Sequence, residues 1–238
     1  MTWHAKPSGG YGINTTENYD NSMEIWGSLN QQGWTAAAAA GACGNSMHEG
    51  ALNPWRWQGD TVNTALGYGM WQWTPSTGYT DLPGATPNFS TSAQTPGATP
   101  EDGARQVQAL YENNPAKWTT ACWRSYWSPG DYPAYYSKTR YILNTWGDGS
   151  KITLAQYALI DDPAYAADCF LACFEGPGVP NYAVREDDAG IFYERFTGVT
   201  PPTPPTPPDP PPPPIVTDSL FWYLKRQADR QNINLFLK

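Results

Sequence analysis

The run PPTPPTPPDPPPPP, residues 201–214, constrains this chain more than any other feature. Proline lacks a backbone N–H and has a fixed φ, so the run makes neither helix nor sheet and extends as polyproline II. At about 3.1 Å per residue it spans on the order of 40 Å. It divides the chain into a body, residues 1–198, a spacer, residues 199–214, and a tail, residues 215–238. The body is long enough for one good-sized core. In the tail, Asp218 or Ser219 caps a helix whose apolar face carries Leu220, Tyr223, Leu224 and Ala228. So short a helix cannot hide that face alone. It is expected to dock on another protein, with packing on the body or on a second copy as the alternatives.

Composition excludes several functions. Mean hydropathy is −0.57, and no apolar run approaches the length of a membrane span. The first residues, MTWHAKPSGG, have neither a basic n-region nor an apolar h-region, so no secretion signal is expected. The net charge of −8 argues against nucleic acid, which calls for clustered Lys and Arg. Four cysteines lack metal or redox spacing and are expected to be buried free thiols. No metal and no cofactor is called for.

The body reads as mainly α. Asp20, Asn21 or Ser22 is expected to cap a helix over 23–32 that stops at Gly33. Thr35 caps the next, over 36–49, whose alanines and Gly41 and Gly44 suit close packing. Residues 75–99, rich in Pro, Gly, Ser and Thr, form a long loop, read either as a rim over a substrate groove or as a surface insertion. Thr99-Pro100-Glu101-Asp102 starts another helix. Further helices are expected over 133–144, 153–159, 163–175 and 185–196.

Chemistry concentrates between Cys43 and Thr74. The Ala-rich helix delivers one acid, Glu49, at its end, and then breaks at Asn53-Pro54. A lone carboxyl among Trp, Tyr and amide side chains suits glycan cleavage, where an acid protonates the glycosidic oxygen and flat rings and amides hold the sugars. Trp55, Trp57, Trp71 and Trp73 flank the acid and are expected to include ring-stacking platforms. Such an acid must stay protonated near neutral pH, and desolvation by Trp55 or Trp71 is the expected means. Asp60 is the nearest downstream acid. It serves either as base or charge stabiliser, or as a turn residue bonding its own backbone. Other chemistries fail on residues. His48-Glu49 starts like a zincin, but Leu52 stands where the second His belongs. Cys43 and His48 on one helix make no nucleophile–base pair with an orienting third group.

Gly44-Asn45-x-Met47-x-Glu49, then Asn53-Pro54, then Gly67-x-Gly69-Met70-Trp71-Gln72-Trp73-Thr74, resembles the phage tail lysozyme family. That family is related to goose-type lysozymes and soluble lytic transglycosylases. The resemblance extends over residues 23–197 and includes CFEGPG, a downstream Arg and Ala-x-x-Phe-Tyr in the closing helices. It implies an α+β lysozyme-like fold with a small β-hairpin beside the cleft, here over 55–61 and turning at Gly59-Asp60. It implies Glu49 as catalytic acid and a glycan cleft lined by Gly67, Gly69, Gln72 and Trp73; Asn53, Trp55 and Trp71, which flank the acid, are expected as further binding residues. The family's usual Glu-Ser pair is Glu49-Gly50 here. The expectation is a peptidoglycan-cleaving muramidase of a phage tail that breaches the host wall between N-acetylmuramic acid and N-acetylglucosamine. The alternatives are a lytic transglycosylase using the same Glu, or a tail protein that grips glycan without cutting it. The partners expected are peptidoglycan strands and, through residues 215–238, a phage tail protein.

Overall fold

In the computed structural model, residues 3–92, 100–112, 133–176 and 180–198 are described. The spacer and tail expectations, and Cys122, lie outside them. The described body is helical: α1 (Thr16–Gln31), α2 (Ala36–His48), α3 (Thr77–Thr80), α4 (Pro100–Tyr111), α5 (Pro133–Thr145), α6 (Leu154–Tyr157), α7 (Pro163–Phe170) and α8 (Tyr182–Thr197).

Helix α2 is the axle. The Thr35 side chain accepts from Ala38 N–H at 3.0 Å, which caps its start. Residues 37–46 are all buried, as a helix of small residues on every side requires. It packs on α1, α7 and α8. The two glycines set the approach. A Cβ on Gly41 would lie 2.5 Å from the Ala166 carbonyl carbon of α7, and one on Gly44 would lie 2.6 Å from the Arg185 carbonyl oxygen of α8. Cys43, Cys169 and Cys173 are buried free thiols, as expected.

Helix α1 begins earlier than its polar residues suggested. Its cap is Thr15, which accepts from Asn18 N–H at 3.2 Å. Asn21 and Ser22, read as caps, lie inside the helix and are buried. Asn21 Nδ2 instead donates to Leu52 O at 2.8 Å, and its Oδ1 accepts from His4 N–H at 2.8 Å. Gly33, at φ +81°, follows the end of α1 as expected. Asp162 caps α7, with Pro163 at its first position. A π-helical turn, Leu171–Glu175, extends α7 to Gly176 at φ +56°.

The expected β-hairpin over 55–61 does not form. Gln58–Asp60 is a short 3₁₀ turn with Gly59 and Asp60 at φ +66° and +52°. Only single antiparallel bridges join Trp57 to Tyr68 and Tyr68 to Trp73 among the described residues. Gly69 and Gln72, at φ +84° and +43°, bend the chain again before any ladder can extend.

One buried acid makes stability depend on pH. Asp168 of α7 is fully buried, and Lys138 Nζ lies 3.9 Å from its Oδ2. Burial, and then the charge of Glu186, push the Asp168 carboxyl well above the usual range. The folded state therefore holds a proton that the unfolded chain releases earlier. Stability is full below the unfolded value and falls as pH rises toward the folded one. Asp168→Asn removes this loss. Its melting temperature should match wild type in acid and exceed it increasingly toward neutral pH, by about 2–4 °C per kcal/mol. A difference that does not change with pH would contradict this.

Candidate active site

The C-terminus of α2 is sewn to the glycine-rich segment. Glu49 is the residue at which the helix ends, at φ −102° and ψ −83°. Gly50 N–H then donates to Met70 O at 3.0 Å, and Ser46 Oγ donates to the same carbonyl at 2.7 Å. A Cβ at position 50 would meet Gly69 O at 2.4 Å and Met70 Cα at 2.7 Å. Glycine follows the acid because backbone occupies the space a serine would need.

The Glu49 carboxyl meets an arginine rather than a tryptophan. Arg185 Nη2 of α8 donates to Glu49 Oε1 at 2.8 Å. Arg185 is 5% exposed, and its Nη1 donates to Asn45 Oδ1 at 3.0 Å. Asn45 Nδ2 in turn donates to Gly41 O and Ala167 O, both at 2.9 Å. A residue from α8 thus fixes an acid at the end of α2 through a charge-assisted bond. Beside it, His48 Nε2 lies 3.0 Å from Asp188 Oδ2.

Glu49 lines a cleft of about 240 Å³, together with His48, Arg56, Gln58, Gln72 and Thr74. Its wall is rigid. Gln72 Nε2 donates to Gly69 O at 2.8 Å and Arg56 O at 3.0 Å, and Gln58 Oε1 accepts from Gly67 N–H at 2.9 Å. Gly67 leaves room for Gln72, whose Oε1 would lie 2.8 Å from a Cβ there. Gly69 leaves room for Gln106, at 2.4 Å. Gln106 Oε1 accepts from Met70 N–H at 2.8 Å, and its Nε2 donates to Pro54 O at 2.7 Å and Asp102 Oδ2 at 2.9 Å. Tyr79 and Tyr68 hydroxyls donate to the Asp102 carboxyl at 2.6 and 3.0 Å. Burial pushes that carboxyl up while these bonds pull it down. This network anchors the segment from behind.

The residues expected in the site separate clearly. Glu49 and Gln72 line the cleft, and Gly67 and Gly69 shape it. Trp55, Trp57, Trp71 and Trp73 are at most 2% exposed, so they are core and present no face to a sugar. Trp71 Nε1 donates to Ala42 O at 2.9 Å. Trp55 and Trp57 Nε1 donate to Ser90 O and Asn88 O, both at 2.8 Å. That loop segment covers the two rings, and no described residue of 75–99 lines the cleft, so of the two readings of this loop the rim gains no support. Asn53 is buried too, and its Nδ2 donates to Lys6 O and Gly9 O, both at 2.8 Å. It ties down the N-terminal segment and is not positioned to hold a sugar. Sequence reading missed Arg185, His48, Arg56, Gln58 and Thr74. For Arg185 the signal was present, as the arginine in the closing segment.

Asp60 is exposed and does not line the cleft, and its Oδ1 accepts from Gly9 N–H at 2.8 Å. This geometry favours a structural role, with the bond made to Gly9 and not, as expected, to its own turn's backbone. Asp60→Asn keeps that acceptor, so wall clearing per folded molecule should stay within about twofold of wild type. A tenfold loss at unchanged melting temperature would return Asp60 to the catalytic machinery.

Comparison with known proteins agrees with this geometry. A 60-residue stretch is 45% identical to Morphogenesis protein 1 of Bacillus phage B103, spanning 25% of this chain and 16% of that protein. Residues 20–196, which include Glu49, the cleft and Arg185, match the family described as phage tail lysozyme. The chain belongs to the phage tail lysozyme family.

Proposed function

We propose that this chain cleaves the glycan of bacterial peptidoglycan between N-acetylmuramic acid and N-acetylglucosamine, with Glu49 as general acid. The observation that carries this reading is the Glu49 carboxyl, bonded to Arg185 through Oε1 and lining the cleft. With Oε1 occupied by an N–H donor, the acidic proton belongs on Oε2. From there it passes to the glycosidic oxygen as the C–O bond breaks, which leaves a carboxylate on Glu49 and positive charge on the sugar. Arg185 stabilises that carboxylate and needs no rearrangement to do so. Gln58, Gln72 and Thr74 supply amides and a hydroxyl for sugar hydroxyls and acetamido groups.

One observation favours a second route. Glu49 is the only carboxylate lining the cleft among the described residues. Without a partner to activate water, the sugar's own C6 hydroxyl can attack the cationic carbon and return its proton to the Glu49 carboxylate, as in a lytic transglycosylase. Mass spectrometry of the products from purified walls separates the routes. Hydrolysis leaves a reducing muramic end, and transglycosylation leaves an anhydro end one water lighter. Walls that bind the protein yet release no fragment would overturn cleavage and leave a glycan-gripping tail protein.

In the same reading the enzyme works from a virion, at the tail tip, and residues 215–238 attach it to a tail protein across the proline spacer. The apolar run Leu220-Phe221-Trp222-Tyr223-Leu224 supports this. Truncation after Thr200 should yield an active monomer that no longer joins particles. Loss of wall cleavage on truncation would place the segment in the enzyme itself.

A further inference from the structure

We propose that Arg56 recognises a carboxylate carried by the muramic-acid side chain of the substrate and so selects peptidoglycan over neutral glycan. This rests on the glycan-cleaving reading and names what the same cleft discriminates. Among the described residues, three ionisable side chains line the cleft: His48, Glu49 and Arg56. His48 is engaged by Asp188 at 3.0 Å, and Glu49 by Arg185 at 2.8 Å. The Arg56 guanidinium makes no hydrogen bond or ion pair among the described residues. In a chain of net charge −8, carboxylates to satisfy it are plentiful elsewhere.

The surroundings hold Arg56 in place without neutralising it. Its carbonyl accepts from Gly69 N–H at 2.8 Å and Gln72 Nε2 at 3.0 Å, which ties its backbone to the cleft wall. Gly10 makes room for its head, since Nη1 would lie 3.0 Å from a Cβ there. The side chain is half-buried, so its charge is only partly screened by water. A guanidinium has a planar fork of donors that matches a carboxylate in two parallel bonds.

The two amino sugars of peptidoglycan differ in one respect that matters here. Muramic acid carries a lactyl ether, and N-acetylglucosamine does not. On a bare strand that group ends in a free carboxylate. On a peptide-bearing strand it is an amide, and the carboxylates lie further out on the stem peptide. Both present the same anion to Arg56, and neutral chitin presents none.

Isothermal titration tests this with the full-length chain carrying Glu49→Gln, which prevents turnover, with and without Arg56→Gln. Three probes are used: a bare tetrasaccharide of alternating N-acetylglucosamine and N-acetylmuramic acid, the same tetrasaccharide carrying stem peptides, and chitotetraose. Arg56→Gln should weaken at least one carboxylate-bearing probe about tenfold or more and leave chitotetraose unchanged. The probe that weakens identifies the source of the carboxylate. Arg56→Lys, which keeps the charge without the fork, should recover part of the loss. Equal weakening on all three probes would overturn the inference, because Arg56 would then only shape the cleft. So would unchanged affinity for both carboxylate probes, or no binding of any probe by the Glu49→Gln protein. Failure of the cleavage reading is separately visible. A wild-type protein that releases no fragments from walls, while Arg56 still governs binding, refutes cleavage and leaves the carboxylate site standing.

Discussion

Glu49→Gln should clear purified cell walls on the order of 10²- to 10⁴-fold more slowly than wild type, the range expected on removing a positioned general acid. The substitution isolates the proton. Glutamine keeps an oxygen where Glu49 Oε1 accepts from Arg185, so the bond that orients the side chain persists in neutral form. Arg185 also keeps its bond to Asn45 at 3.0 Å. The fold should therefore survive. Glycan binding should hold while turnover collapses. A folded Glu49→Gln protein that clears walls at the wild-type rate would remove Glu49 from the chemistry.

The second large effect concerns the fold and has a diagnostic sign. Glycine to alanine inside a helix ordinarily gains up to about 1 kcal/mol from propensity alone. Gly27 of α1 has nothing within 4 Å of its missing Cβ, so Gly27→Ala should raise the melting temperature by a few degrees. Gly44 of α2 should do the opposite. Its Cβ would lie 2.6 Å from Arg185 O and 2.8 Å from Ala189 N, both backbone atoms that cannot swing aside. Helix α8 must move, at a cost of about 1–3 kcal/mol. Gly44→Val should cost more than Gly44→Ala. Because α8 carries Arg185, both variants should also lose activity beyond what unfolding explains. The measurement is thermal unfolding beside clearing rate per folded molecule. Stabilisation by Gly44→Ala would mean that α2 and α8 are not in backbone contact there.

What could be read from sequence divides by the range of the interaction. Thr35, Gly33 and Pro163 are local signals, and the helix boundaries they predicted are found. Gly41 and Gly44 announced close packing because nothing else justifies glycine inside so alanine-rich a helix. The place of Glu49 at the end of the Ala-rich helix was legible, because the break at Asn53-Pro54 follows it closely. The tryptophans were misread because their burial depends on a partner some thirty residues away. Asn88 and Ser90 accept the Trp57 and Trp55 indole protons and cover the rings. Asn21 was misread in the same way, since a polar residue near a helix start looks like a cap until Leu52 O claims it. The hairpin over 55–61 was implied by the resemblance and not by the pattern, and it does not form because Gly59 and Asp60, at positive φ, close a 3₁₀ turn instead of joining two strands. Arg185 stood in the closing segment's motif, but its pairing with Glu49 was not legible because 136 residues separate the two.

General-acid catalysis by Glu49 requires a glycosidic oxygen lying against its carboxyl. A crystal structure of the Glu49→Gln protein with a peptidoglycan tetrasaccharide tests this directly. The account predicts a glycan in the cleft among Gln58, Gln72 and Thr74, with one glycosidic oxygen about 2.6–3.2 Å from the side chain at position 49. A glycan bound elsewhere, or one whose glycosidic oxygens all lie beyond reach of that side chain and of a single bridging water, would contradict it.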